Sequence, residues 1–196
     1  MREVELKAVV DDLAGTRKRL EKAGGKLVFE GSLTDRRYDV ESRELSERDE
    51  VLRVRRYQTP SSSKTYIEWK GPTEIQDVYK VREEISTLVE DFDSLEQILT
   101  RLGFVIAMEI DRDIAQYELG EATIRFETYP RMDALVEVEG QPDSIEVAIE
   151  ALGMPRGLFS SDRLTSFVGR FEQRTGVRAA LCARELEGDY SLRVES

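Results

Sequence analysis

Apolar and polar residues alternate strictly along several stretches of this chain. Glu3-Val4-Glu5-Leu6-Lys7 opens it, and Val51-Leu52-Arg53-Val54-Arg55 and Tyr66-Ile67-Glu68-Trp69-Lys70 repeat the pattern. Period-2 alternation sends successive side chains to opposite faces of a β-strand. It predicts strands near 2–10, 26–30, 35–41, 50–57, 64–70, 78–90, 104–118, 121–128 and 133–139. Helical periodicity predicts helices over 12–23, 93–102, 143–152 and 161–174. The second of these carries Leu95, Ile98, Leu99 and Leu102 on one stripe, with Asp93 or Ser94 as N-cap and Gly103 as its stop. Pro60 and the serines 61–63 mark a turn between two strands. One domain over 1–175 accounts for the patterned part. Residues 176–196 are charged and weakly patterned, and are expected to form an extension that is helix or tail.

In the first strand Glu3, Glu5 and Lys7 share one face, while Val4, Leu6 and Ala8 take the other. Two carboxylates and an ammonium thus lie within ~14 Å, at ~3.4 Å per residue. Such a face can hold a hard metal ion beside an anionic ligand; the alternative is a solvated outer face, which antiparallel strands commonly have. An internal echo bears on the choice. Shifted by 79 residues, Glu5 falls on Glu84, Asp12 on Asp91, Leu20 on Leu99, Gly24 on Gly103 and Tyr38 on Tyr117. With shorter shifts, Leu52-Arg53-Val54-Arg55 falls on Ile124-Arg125-Phe126-Glu127, and residues 67–71 fall on 136–140. Chance likeness between amphipathic segments is the alternative. A genuine echo predicts two similar halves around a pseudo-twofold axis, most simply a β-barrel. The halves differ in charge: Arg55 and Lys70 in the first correspond to Glu127 and Glu139 in the second. Facing the lumen, they would form one wall of bases and one of acids, suited to a polyanion bridged to the acids by a metal.

Composition narrows the chemistry. The formal net charge of -11 argues against a nucleic-acid partner. Acid excess with only seven lysines (7, 18, 22, 26, 64, 70 and 80) also fits a cytoplasmic protein adapted to high salt. The absence of His leaves carboxylates as metal ligands, hence Mg²⁺ or Mn²⁺ rather than zinc. The single Cys182 forms no internal disulfide, consistent with a reducing cytoplasm. No signal-peptide pattern and no membrane-length apolar run is present, so no membrane association is expected.

These motifs, in this order, resemble the CYTH superfamily, the triphosphate tunnel metalloenzymes, and the resemblance covers roughly residues 1–170. The opening E-x-E-x-K is matched by Glu3, Glu5 and Lys7. An R-x-R strand is matched by Arg53 and Arg55, and a strand ending in Lys-Gly-Pro by Lys70-Gly71-Pro72. An R-x-E strand is matched by Arg82 and Glu84, an arginine after the second helix by Arg112, and a closing E-x-E-G by Glu137, Glu139 and Gly140. The resemblance implies an α+β fold: an eight-stranded antiparallel β-barrel, a tunnel open at both ends, built from two pseudo-repeated halves with flanking helices. It implies triphosphate contacts from Lys7, Arg53, Arg55, Lys70, Arg82, Arg112 and Arg125, and metal ligation by Glu3, Glu5, Glu84, Glu127, Glu137 and Glu139. Two positions depart from the family pattern: Glu127 stands where an Asp is usual, and Ile110 where a Lys is common.

Family members differ in which phosphorus is attacked. The second strand, with Asp35 and Tyr38, is similar to that of the class IV adenylyl cyclases, which convert ATP to cyclic AMP and pyrophosphate. The alternative is a triphosphatase acting on inorganic or thiamine triphosphate, with Lys7, Lys70 and Tyr38 as catalytic candidates; Tyr38 is otherwise an aromatic packed in the barrel. A non-catalytic nucleotide or polyphosphate binder, and a plain structural barrel with solvated stripes, also remain open. A homodimer is the default expectation for assembly.

Overall fold

A computed structural model describes residues 2–192. The elements follow in the order β1 (Arg2–Val9), α1 (Leu13–Lys22), β2 (Lys26–Val40), α2 (Glu44–Glu47), β3 (Val51–Gln58), β4 (Ser63–Lys70), β5 (Glu74–Gln76), β6 (Tyr79–Val89), α3 (Phe92–Arg101), β7 (Phe104–Leu119), β8 (Ala122–Thr128), β9 (Leu135–Glu139), α4 (Pro142–Leu152), α5 (Leu164–Thr175) and α6 (Ala183–Leu186). Eight strands close a ring in the order β1-β9-β8-β7-β2-β3-β4-β6, with β6 returning to β1 and β5 appended to β6. All registered pairs are antiparallel. Closure leaves no free edge in the ring.

The ring has the symmetry that the echo implies. Exchanging β1 with β6, β2 with β7, β3 with β8 and β4 with β9 maps the strand order onto itself. Helices α1 and α3 correspond under the same exchange and start in the same way. The Asp12 carboxylate accepts from Gly15 N at 2.9 Å, and Asp91 accepts from Ser94 N at 3.0 Å, each filling one of the orphan donors of a first turn. The α3 cap is therefore Asp91, two to three residues earlier than the Asp93 or Ser94 expected from sequence, because Asp91 and Ser94 stand at cap spacing. Each half sends its first strand into the other's sheet: β1 lies between β9 and β6, and β6 between β4 and β1.

Outward faces build the core. Leu6, Ala8, Ile124, Phe126, Val136 and Val138 from β1, β8 and β9 pack against Ile145, Ala148, Ile149 and Leu152 of α4 and Leu20 of α1. The α4 positions recur at i, i+3, i+4 and i+7, the single apolar stripe of a surface helix. On the opposite side, Tyr38, Val54 and Leu99 form a smaller cluster with Leu95, Phe92 and Phe104. Half of the predicted α3 stripe, Ile98 and Leu102, is exposed.

Three expectations change. Strand β2 runs unbroken over 26–40, where two strands were expected. Gly31 lies within it as a close approach: a Cβ there would stand 2.3 Å from the Gln58 carbonyl oxygen of β3. Strand β5 and helix α2 lie in segments with no sequence signal long enough to register. The charged extension packs onto the barrel up to residue 192. Arg131 and Ala180 exchange backbone hydrogen bonds at 3.0 and 2.8 Å, Asp111 N donates to Leu181 O at 2.7 Å, and Ala179, Ala180, Leu181 and Cys182 are buried. Four buried residues are too few for a periodic pattern. Residues 193–196 of the extension lie outside the described residues. No described helix is long and apolar enough to cross a membrane.

Candidate active site

The alternation that sends Val4, Leu6 and Ala8 outward turns Glu3, Glu5 and Lys7 into the barrel. The same parity brings Asp35 and Arg37 of β2, Arg53 and Arg55 of β3, Glu68 and Lys70 of β4, and Lys80, Arg82 and Glu84 of β6 to inward positions. From the second half come Arg112 of β7, Arg125 and Glu127 of β8, and Glu137 and Glu139 of β9. Most of these line a narrow cavity of about 60 Å³ whose wall also includes Leu164 at the start of α5. The register gives this tunnel two distinct mouths. One lies where β1, β2, β4 and β8 begin. The other lies where β3, β6, β7 and β9 begin, next to α5.

Inside, acids and bases neutralise one another, as buried charges must. Asp35 is a hub. It accepts from Arg55 Nε at 2.7 Å and Nη2 at 2.9 Å and from Arg112 Nη2 at 2.6 Å, with Arg53 Nη1 at 3.7 Å. Burial alone would raise its carboxyl, but Arg55, Arg112 and Arg53 hold it well below the usual carboxylate range. Arg53 also pairs with Glu68. Arg37, which faces Arg53 across β2 and β3, has a buried Nε with no hydrogen-bond partner. Burial first and the neighbouring Arg53 next push it down to about 10.

The acids gather on the other wall. Lys70 bridges Glu3, at 2.7 Å, and Glu84. Glu5 meets Lys80 and, at 3.2 Å, Lys7, which also pairs with Glu137. Arg125 Nη1 lies 2.6 Å from Glu137 and 3.2 Å from Glu139. Burial works against a charged Glu3, but Lys70 outweighs it and keeps the carboxyl low. Glu84, buried and hydrogen-bonded to Glu3, is pushed up to about 7. Burial is likewise opposed at Glu137, which Lys7 and Arg125 hold well below its ordinary value. Burial raises Glu139 well above its own, with Arg125 opposing and Glu137 adding to the rise. Glu3, Glu5 and Glu139 each offer a carboxylate oxygen within 4.8 Å of the others. An all-oxygen, all-carboxylate set of this kind fits a hard divalent cation and excludes the soft-ligand metals.

Of the six acids expected to hold metal, these three therefore cluster. Glu84 stays beside the cluster through Lys70, and Glu137 sits between Lys7 and Arg125. Glu127 is engaged elsewhere, with Arg112 at 3.2 Å and the Tyr129 hydroxyl at 2.6 Å. The expected phosphate contacts Lys7, Arg53, Arg55, Lys70, Arg112 and Arg125 all reach the tunnel. Arg82 does too, while donating to the carbonyls of Gly71 at 2.6 Å and Asp49. Tyr38 does not join them. It is buried on the outer face with Val54 and Leu99, beneath α3. Three residues separate it from the inward Asp35, and an odd separation on a strand means the opposite face. Arg37, Lys80, Glu68 and Tyr129 are tunnel groups that the motifs do not single out. Arg37 and Lys80 stand two residues from Asp35 and Arg82, so parity alone points to them.

The model of the CYTH domain family matches residues 1–149. A Methanocaldococcus jannaschii protein named "Putative adenylate cyclase MJ0240" is 33% identical over 126 residues, covering 63% of this chain and 69% of that one. Among solved structures, a "putative adenylate cyclase" from Vibrio parahaemolyticus superposes with a TM-score of 0.72 at 18% identity, over 85% of this chain and 97% of the other. The "putative adenylyl cyclase HpAC1 from Hippeastrum", described with a dominant triphosphatase activity, superposes with a TM-score of 0.61 at 14% identity, over 94% and 98%. At these identities the two structures bear on the fold alone.

Proposed function

The chain belongs to the CYTH domain family, and we propose that it is a divalent-metal-dependent enzyme of the class IV adenylyl cyclase type. It would convert ATP into cyclic AMP and pyrophosphate, with the triphosphate drawn into the tunnel. One observation carries this reading: the Glu3–Glu5–Glu139 carboxylate cluster shares a closed interior with Arg53, Arg55, Arg112 and Arg125. The name of the M. jannaschii relative supports the choice of reaction.

Arginines bind phosphate oxygens through bidentate forks, so Arg53, Arg55 and Arg112 would exchange the Asp35 carboxylate for phosphate oxygens of the same charge. Arg37, whose buried Nε has no hydrogen-bond partner, offers a donor that needs no such exchange. Lys7 and Lys70 stand beside the carboxylate cluster and would spread positive charge over the oxygens on which charge builds up in the transition state. Glu3, Glu5 and Glu139 would hold Mg²⁺ or Mn²⁺, which when bound screens the phosphates and acidifies the attacking hydroxyl. The enclosed walls fix the chain in line and keep bulk water from competing with the ribose hydroxyl.

The test is an incubation of the purified chain with ATP, and separately with inorganic triphosphate, with Mg²⁺ or Mn²⁺. Cyclic AMP with equimolar pyrophosphate is the expected outcome. Orthophosphate without cyclic AMP replaces the cyclase by a triphosphatase working through the same residues. Binding without either product makes the tunnel a sensor.

A further inference from the structure

At the mouth where β2 and β4 begin, three aromatic rings turn toward the lumen rather than into a core. Phe29 meets Tyr57 edge-to-face at 5.3 Å and 84°, and Tyr57 meets Tyr66 at 6.0 Å and 89°. They come from β2, β3 and β4 and are all half-buried. With Glu68, Ser86 and Gln116 they line a cavity of about 450 Å³, within the range of small-molecule sites. Its inner end joins the tunnel bases directly. Gln116 accepts from Arg125 Nε at 3.2 Å, Glu68 pairs with Arg53, and the Arg55 guanidinium lies 5.9 Å from the Tyr57 ring centroid. Glu139, whose carboxylate belongs to the metal-suited cluster, pairs with that same Arg125.

Half-exposed rings beside a charged interior contribute little to packing here; two of the cores lie outside the barrel under α1, α4 and α3, and the third fills its α5 end. What they offer is a set of flat faces ending where phosphate-binding groups begin. Glu68, Ser86 and Gln116 add hydrogen-bonding groups of both kinds at its edge. Apolar faces and hydrogen-bonding edges leading into cations match one class of molecule: a heteroaromatic base carrying a phosphate chain.

We propose that this vestibule is a base-binding subsite, in which the nucleobase of a nucleoside triphosphate lies against Tyr57 and Tyr66 while its phosphates run inward past Arg55 and Arg125. This rests on the reading of the tunnel as a triphosphate site and deepens it. The substrate is a nucleoside triphosphate rather than inorganic triphosphate, and its base enters from the mouth opposite α5. Stacking tolerates any base, because every base has a π-face; the edge groups supply what discrimination there is.

Binding of ATP and of inorganic triphosphate, each with Mg²⁺, is measured by calorimetry on the full chain and on Tyr57→Ala, Tyr66→Ala, Tyr66→Leu and Tyr57→Phe. The alanine and leucine variants should weaken ATP by about ten- to hundredfold, the size of one base–aromatic stack, and leave triphosphate within about twofold. Tyr57→Phe, which keeps the ring, should keep ATP affinity. Retained triphosphate binding shows that each variant is folded. Equal weakening of both ligands, or ATP binding that ignores all four substitutions, overturns the proposal. Failure of the unmodified chain to bind either ligand is a different result: it overturns the triphosphate reading itself, and this subsite with it.

Discussion

The junction of β1 with β9 and the junction of β6 with β4 are the same junction met twice in the pseudo-symmetric ring. At the first, Glu3, Glu5 and Glu139 gather three carboxylates. At the second, the corresponding positions are Arg82, Glu84 and Lys70. The main-chain ladders are equivalent, and two of the three charges are reversed. The two triads are not isolated from one another, because Lys70 bonds Glu3 and Glu3 pairs in register with Arg82. The two halves thus share their hydrogen-bond ladder and differ in side chains, so that one junction gathers three carboxylates and its mate two bases and one acid. The outer faces diverge as well. The second half seals β8 and β9 under α4, whereas Ile67 and Trp69 on β4 stay half-buried and Ile85 on β6 is 61% exposed.

The sharpest way to break this comparison is to reverse it. Lys70→Glu places a third acid beside Glu3 and Glu84, and should abolish stabilisation by triphosphate and lower turnover by at least about hundredfold. Adding Glu139→Lys to restore net charge should not rescue either. Thermal shift with and without triphosphate and product formation read both variants, and recovery in the double variant would mean that the junctions are interchangeable.

Asp35 tests the basic wall. Asp35→Asn strands Arg55 and Arg112 and should cost about 3–5 kcal/mol near neutral pH. Its folded carboxyl is held below the unfolded value of about 3.9. The stabilisation is therefore full above that pH and is lost as pH falls through the folded value. In urea titrations the gap between wild type and variant should narrow below about pH 4; a gap independent of pH would show that Asp35 is not ionised by its arginines.

The outer faces supply a third contrast. Ile124 and Leu52 correspond in the two halves, but Ile124 is fully buried under α4 and Leu52 is half-buried. Ile124→Ala should fall in the upper part of the about 2–5 kcal/mol range for such truncations and Leu52→Ala in the lower part, as read by urea midpoints. The smallest effect tests the symmetry itself: Asp12→Ala and Asp91→Ala should each lower Tm by a few degrees, Asp91→Ala by slightly more, since both remove the same backbone cap bond and Asp91 also accepts from the Ser94 hydroxyl at 2.6 Å.

Much of the barrel is readable from alternation because an antiparallel strand with one face in a core must alternate. That covers β1, β3, β4, β6, β7, β8 and β9, and the echo supplies their pairing by halves. It covers β2 only in pieces, near 26–30 and 35–41, because the alternation lapses between them while the strand runs on through Gly31. Inward acids and bases are readable one strand at a time, which is why Glu3, Glu5, Lys7, Arg53, Arg55 and Lys70 can be named without coordinates. Partnerships across strands depend on register and shear, so the Glu3–Lys70 bridge, the Asp35 hub and the separation of Glu127 from the carboxylate cluster are not. Tyr38 shows the cost of reading a motif without its parity.

The exchange of first strands between halves settles how the chain can be divided. Severing it between β4 and β6 would not release two lobes, since β1 would remain threaded into the second sheet and β6 into the first. Each half alone would expose the edge its missing strand covers, together with an unpaired row of buried charges. The repeat is interlocked rather than modular, and its smallest cooperative unit is the whole ring.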